Sequence, residues 1–294
     1  AKSVSAHSKQ VLLASTGKIG VTLPVEKIIS KLSVKADTSI KAFAQAILTT
    51  DTCIKISQDS KANFLGFAKG SGMIMPNMAT MLAFVITDKK IKGLDEAQAK
   101  EFIQEVLIKA INESFNSITV DGDTSTNDMC LLMNNLSGDE ISKDEFEACL
   151  RQVCSELAYK VVADGEGLTK ISKLTLHADF DAREMGRFIL NSALVKTALH
   201  GNDPNWGRII SSLGQYAAQE DLEIDINKVK LSILNIVVFE KGLNADFDRE
   251  SLILKMKKAF EIDIQLDLGG SKSVTVFGND LSNDYIKINA EYFT

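Results

Sequence analysis

The chain has 294 residues, 45% of them apolar and 24% charged, with a net charge of −6 and a pI near 5.3. This length exceeds one typical domain and leads us to expect two lobes with ample core. The acidic balance argues against a nucleic-acid binder, which carries a basic footprint, and no run of about 18 apolar residues is present to span a membrane.

In chain order, residues 1–10 are polar and show no signal peptide. The first residue is Ala1, which reads as a processed product or a fragment. Residues 10–14 read as a short strand ending in the turn Ser15-Thr16-Gly17. Pro24 opens a helix to Leu32, and a second runs from Ser39 to Leu48 with Ala42, Phe43, Ala46 and Ile47 on one face. Strands at 64–67 and 80–87 flank the turn Gly70-Ser71-Gly72. A long helix spans 97–115 with an apolar stripe of Phe102, Val106, Ile108 and Ile111. Residues 117–120 and 129–133 read as a strand pair around the loop DGDTSTND, followed by a helix over 143–162.

The texture changes at Gly165-Glu166-Gly167, the expected lobe boundary. Beyond it come a strand at 173–177, a helix over 182–199 and the polar loop GNDPNWGR. Several strands between Lys228 and Tyr292 follow, interrupted by one helix at 250–260; IKIN at 286–289 reads as the final strand. The mixture predicts a layered α+β fold. The four cysteines show no CxxC spacing and read as reduced, mostly buried thiols. The three histidines are far apart, so no zinc site is expected.

The run KGSGMIMPNMATMLAF at 69–84 is the most informative segment. Its methionines and the apolar stretch after Thr80 suit a buried core. The Ala79-Thr80 pair admits a second reading. Cutting that bond would give Thr80 a free α-amine, whose ordinary pKa of about 7.7–8.0 suits a general base. A threonine activated by its own amine is an established nucleophile.

The remaining motifs are weaker one by one. STGKIG at 15–20 could aim a backbone N–H and a hydroxyl at an oxyanion, or be an ordinary turn; it does not match a P-loop. TTDT at 49–52 reads mainly as a helix end. DGDTSTND at 121–128 resembles the start of an EF-hand loop, but Thr126 stands where glycine is required and Leu132 where glutamate is required. A polar hairpin loop is the better reading, and no metal is expected. GEGLTK at 165–170 presents Glu166 on a bare backbone. GNDPNWGR at 201–208 is a rigid turn or a site-shaping loop.

Taken in order, STG, TTDT, AKGSGMIMPNMATMLAF, DGDTSTND, GEGLTK, GNDPNWGRI and NDYIKINAEYFT closely resemble the ornithine acetyltransferases of the cyclic arginine pathway, the ArgJ family of bifunctional glutamate N-acetyltransferases. The resemblance runs from about Val11 to Thr294. It implies an ArgJ/DmpA-like, self-processing Thr-nucleophile α+β fold with lobes at 1–165 and 166–294, the C-terminal one being the smaller. Cleavage between Ala79 and Thr80 would give an α chain (1–79) and a β chain (from 80), assembling as a heterotetramer of two α and two β. It further implies Thr80 as nucleophile and Thr16 and Gly17 as oxyanion hole. Thr49, Lys69, Thr80, Glu166, Asn289 and Thr294 would bind substrate, with Lys69 meeting a carboxylate and Glu166 an amino group.

The implied reaction moves acetyl from N2-acetyl-L-ornithine to L-glutamate through acetyl-Thr80 in the cytoplasm, without metal or organic cofactor. Acetyl-CoA stands as a further donor that the sequence leaves open. Two departures are visible. The family carries a segment before STG that this chain lacks, and Cys53-Ile54 stand where the family often has an apolar residue and a proline. The rival expectations are an amidohydrolase or aminopeptidase using the same nucleophile, and an inactive truncated relative.

Overall fold

The computed structural model describes residues 7–31, 39–59, 62–77 and 80–291. The first half runs through α1 (Val25–Lys31), α2 (Ile40–Ala46), β1 (Lys55–Asp59), β2 (Phe64–Lys69), β3 (Leu82–Thr87), β4 (Lys90–Ile91) and α3 (Glu96–Glu113). It continues with β5 (Met129–Asn134), β6 (Glu140–Ile141) and α4 (Lys143–Ala163). The second half comprises β7 (Ile171–Ala178), α5 (Arg183–Asn191), α6 (Ala193–His200), α7 (Trp206–Gln219), β8 (Lys230–Ile233) and β9 (Ile236–Glu240). It ends with β10 (Leu243–Asn244), α8 (Arg249–Lys258), β11 (Glu261–Asp267), β12 (Lys272–Asn279) and α9 (Asn283–Glu291).

Two principal sheets result. The first has the order β1-β2-β3-β5, with β5 parallel to β3 and the other pairs antiparallel. The second has the order β10-β9-β8-β11-β7-β12 and contains one parallel pair, β11 with β7. This is the expected α+β class.

Each sheet has its own core. Phe64, Ala68, Ala83 and Val85 of the first pack with Val106, Ala110, Phe146, Leu150 and Leu157 from α3 and α4. Ser142 starts α4 with a capping box, its side chain taking the Glu145 N–H while Glu145 takes the Ser142 N–H. Phe64 and Phe146 meet edge to face at 5.1 Å. Leu174, Leu176, Ile262, Ile264 and Leu266 of the second sheet pack with Met185, Ile189, Leu213 and Met256. The two cores touch at β12, where Phe277 meets Tyr159 of α4 at 5.4 Å.

Several expectations are corrected. Residues 10–14 form no strand; a single 3-10 turn at Ser8–Gln10 precedes open chain, and Leu12 and Leu13 have no core to enter. Residues 117–120 do not pair with β5, which instead pairs with β3. Ile118 makes a lone bridge to Phe277. Ile108 faces outward, while Ala99, Leu107 and Ala110 complete the buried stripe of α3.

The expected helix over 182–199 breaks at Ser192, whose backbone leaves the helical region (ψ 118°) and whose side chain caps α6. IKIN is helical, within α9, and no residue of α9 is buried. Its period-two isoleucines mark no sheet face. The cysteines are free as expected, but Cys53 is exposed and Cys130 and Cys149 are half-buried.

Candidate active site

Thr80 stands two residues before β3, on the connection that returns the chain from β2. That connection is shaped by three carboxylates. Asp51 takes the Gly70 N–H at 2.6 Å. Asp121 takes the N–H groups of Met73 and Ile74 at 2.7 and 2.9 Å, which holds Met73 in a left-handed conformation, φ 55°. Such a φ is uncommon for a side chain of this size. Asp128 takes the N–H of Thr80 and, at 2.9 Å, that of Met81. The Thr80 hydroxyl donates to Ser125 Oγ at 2.8 Å, and Ser125 donates onward to Asn127 Oδ1 at 2.9 Å.

A cavity of about 300 Å³ opens beside this hydroxyl. Thr16, Gly17, Thr49, Thr80, Glu166 and Asn289 all line it. Their sequence separation is bridged by particular contacts. Asn127 Nδ2 donates to the Ser15 carbonyl, which ties the STG turn to the loop facing Thr80. TTDT is held by a buried charge cluster rather than being a plain helix end. Lys55, with no exposed surface, meets Asp51 at 2.6 Å and Asp164 at 2.5 Å, and Asp164 accepts from both the backbone and hydroxyl of Thr52.

Glu166 lies three residues past the end of α4, and its N–H donates to the Ser71 carbonyl at 2.9 Å. Its carboxylate lies over Gly72, where a Cβ would stand 2.5 Å from it. Asn289 of α9 donates to Glu166 Oε2 at 3.0 Å. The next residue, Gly167, has φ +64°, and a Cβ there would meet the Tyr285 backbone at 2.2 Å. Only glycine lets α9 approach so closely.

Lys69 is placed differently from the other expected site residues. It is the last residue of β2, fully buried, and its Nζ donates to the Thr80 carbonyl at 3.0 Å. It stands behind Thr80 and does not line the cavity. Burial holds its pKa below the ordinary lysine value, while the Asp51 and Asp128 charges oppose that shift. Ala79 and Thr294 lie outside the described residues.

Several lining residues escaped the sequence reading. Lys18 is the sole cation among the described residues that line the cavity, which also has Asp121, Asp123 and Tyr285 in its wall. Burial first, then the Asp121, Asp123 and Glu166 charges, push the Tyr285 hydroxyl pKa up. Asp128 and Ser125 were visible only as members of a polar loop. Burial raises the Asp128 carboxyl above its ordinary range, against the opposing N–H groups of Met81 and Ser125 and the Lys69 charge.

GNDPNWGR serves the second lobe. Trp206 stacks on Phe239 at 5.0 Å, its Nε1 donates to Asn244 at 2.9 Å, and Asp203 meets Arg249 at 2.7 Å. A larger cavity of about 580 Å³ between α3 and β5 contains none of the expected site residues. Among the described residues no cluster of three or more His, Cys, Asp or Glu is arranged for a metal. No described helix is long and apolar enough to cross a membrane.

An α+β fold of this kind, with a threonine at the mouth of a polar cavity, matches one class of proteins by comparison. The ArgJ family model matches residues 1–294. The chain is 44% identical to the arginine biosynthesis bifunctional protein ArgJ of Lactococcus lactis, over 97% of this chain and 74% of that protein. It is 40% identical to the glutamate N-acetyltransferase of Methanopyrus kandleri, over 100% of this chain and 78% of that one. A crystal structure of ArgJ from Bacillus halodurans superposes with a TM-score of 0.63 at 34% identity, covering 71% of this chain and 98% of the other. The chain belongs to the ArgJ family.

Proposed function

We propose that this protein is a self-cleaving glutamate N-acetyltransferase of arginine biosynthesis, moving acetyl from N2-acetyl-L-ornithine to L-glutamate. Family membership supports the activity. The observation that carries the site assignment is the single cavity shared by Thr80, Thr16, Gly17, Thr49, Glu166 and Asn289.

In this reading Thr80 first attacks the Ala79 carbonyl, and hydrolysis of the resulting ester leaves Thr80 with a free amine. In the first half-reaction Thr80 Oγ attacks the acetyl carbonyl of acetylornithine and its own amine takes the proton. Thr16 and Gly17 donate to the tetrahedral oxyanion. Ornithine leaves, glutamate enters, and its amine attacks the acetyl ester. Both substrates share an α-amino-acid end. Glu166, Asp121 and Asp123 suit an amino group, and Lys18 suits a carboxylate. Lys69 acts through the Thr80 carbonyl.

The acyl chemistry requires no metal or organic cofactor, and acetyl-CoA is a second donor that the same nucleophile could accept. The two cores support lobes divided near residue 165. The cleaved α and β chains would stay together, as two of each, in the cytoplasm.

The test is to incubate the protein with acetylornithine, with and without glutamate. Acetylglutamate, and ornithine beyond one equivalent per enzyme, should form only when glutamate is present, from a protein whose intact mass shows two fragments meeting at residues 79 and 80. Thr80→Ala should remain one chain and transfer nothing. Acetate released equally well without glutamate would make the protein a hydrolase instead.

A further inference from the structure

Nucleophilic attack by Thr80 on the Ala79 carbonyl is only half of a self-cleavage. The bond that breaks is the one to the Thr80 nitrogen, and an amide nitrogen leaves poorly unless it is protonated as it departs. A group that supplies this proton must stand at that nitrogen. Proximity to it is therefore a stricter criterion than membership of the cavity wall.

Among the described residues Asp128 is the side chain hydrogen-bonded to the Thr80 nitrogen. Its Oδ1 accepts the N–H groups of Thr80 and Met81, which fixes the carboxyl against this stretch of backbone. Its Oδ2 is buried and has no hydrogen-bond partner among the described residues. An unpaired ionised oxygen in such a setting costs far more than a protonated one. Burial favours the neutral acid in the same sense. Lys69 opposes it from the end of β2, but that lysine is itself buried and committed to the Thr80 carbonyl.

We propose that Asp128 is the acid that protonates the Thr80 nitrogen as the Ala79–Thr80 bond breaks, an inference that rests on the self-cleavage proposed above. The Thr80 Oγ–C bond to Ala79 forms, and the C–N bond between Ala79 and Thr80 breaks. In the tetrahedral adduct the nitrogen gains a lone pair. Once the Asp128 carboxyl turns its protonated oxygen to that lone pair, the nitrogen keeps its own hydrogen and gains one from Asp128. The hydroxyl proton leaves along Ser125 and solvent and also ends on the nitrogen. The products are an ester, an ammonium and an ionised Asp128 paired to it. Water then hydrolyses the ester, giving the Ala79 carboxylate, restoring the Thr80 hydroxyl and releasing one proton to solvent. No co-reactant besides water is consumed.

Positioned proton transfer of this kind contributes about 10²–10⁴-fold to a rate. The experiment follows cleavage of freshly made chain by intact mass in the wild type, Asp128→Asn and Asp128→Glu, with melting temperature as the check on folding. Asparagine keeps the acceptor oxygen and the volume but carries no acid proton. We expect Asp128→Asn to fold and to cleave at least about 100-fold more slowly, with Asp128→Glu recovering part of the rate. Wild-type cleavage of a folded Asp128→Asn, beside a wild type that does cleave, would overturn this inference alone. A wild type that stays uncut would overturn the self-cleavage reading beneath it. Should Asp128→Asn fail to fold, Asp128→Ala in added formate replaces it. Cleavage that depends on formate supports the proposal, and cleavage that ignores formate overturns it.

Discussion

The ammonium of Lys69 lies 3.0 Å from the carbonyl oxygen of Thr80 and has no surface exposed to solvent. A lysine so placed grips the backbone of Thr80 rather than a free substrate. Lys69→Met keeps most of the volume but removes the donor, leaving the Thr80 carbonyl without this bond. A buried acceptor left unsatisfied costs about 1–3 kcal/mol, and the nucleophile loses one of its fixed points. The expected outcome is a lower midpoint in denaturant together with cleavage slowed at least about tenfold, since misplacement by about 1 Å can cost a hundredfold. Normal cleavage with raised KM for both substrates would return Lys69 to the role of carboxylate partner.

Gly72 and Glu166 test the cavity itself. A Cβ at Gly72 would stand 2.5 Å from the Glu166 carboxylate. The clash is with the end of a side chain, so the chain can fold by swinging Glu166 aside. That movement would break its contact with Asn289 and remove a carboxylate from the substrate amine. Gly72→Ala should therefore raise KM for acetylornithine about tenfold or more, close to the ~1.4 kcal/mol that one good contact supplies, and change the melting temperature little. Steady-state kinetics and a thermal scan on the same preparation decide it. Unchanged KM would show that Glu166 does not meet the substrate.

Lys196 sets a pH dependence. It is buried beside the cavity wall, donating to the carbonyls of Val120 and Asn279 at 2.6 Å each. Burial brings its pKa down to about 8, against the opposing charges of Asp121 and Asp280. The unfolded chain binds this proton up to about pH 10.4, the ordinary lysine value. Between pH 8 and that value the unfolded state holds more protons, so stability rises with pH, by at most about 1.4 kcal/mol per unit. Lys196→Met should lower stability at every pH but flatten this rise. Denaturant midpoints at several pH values between 8 and 10 measure the two slopes. Equal slopes would mean that Lys196 titrates normally.

Much of the site was legible because its residues lie in distinctive motifs. Thr16, Gly17, Thr49, Thr80, Glu166 and Asn289 line one cavity, and each lies in such a motif. The loop 121–128 was recognised as polar, but nothing in DGDTSTND says which aspartate faces Thr80. Asp128 does so because β5 starts at Met129, parallel to β3, and that register brings the preceding residue to Thr80. Lys69 misled because Gly70 and Gly72 suggest an exposed turn, whereas β2 continues through it into the core. IKIN misled in the opposite way. Alternating isoleucines normally mark a strand, but this segment has no sheet to join and coils over the cavity as α9.

That last helix carries the final prediction. α9 has no buried residue, and Ile286 and Ile288 remain exposed. Its hold on the molecule includes Ser282, which caps the Tyr285 N–H at 3.1 Å, and the contact of Asn289 with Glu166 at 3.0 Å. Chain termini this lightly anchored are commonly dispensable. Here the helix supplies both Tyr285 and Asn289 to the cavity wall, so its loss should be felt in substrate use rather than in folding. Cleavage involves a bond carried by the chain itself, held by contacts from Asp128, Ser125 and Lys69, none of which belongs to α9. Asn289→Ala should therefore give two fragments at the normal rate, melt within a degree or two of wild type, and raise KM for acetylornithine and glutamate together. Intact mass, a thermal scan and initial rates over a range of each substrate provide the three readouts. Wild-type KM values would mean that Asn289 only steadies the helix, and a failure to cleave would show that α9 helps to build the nucleophile.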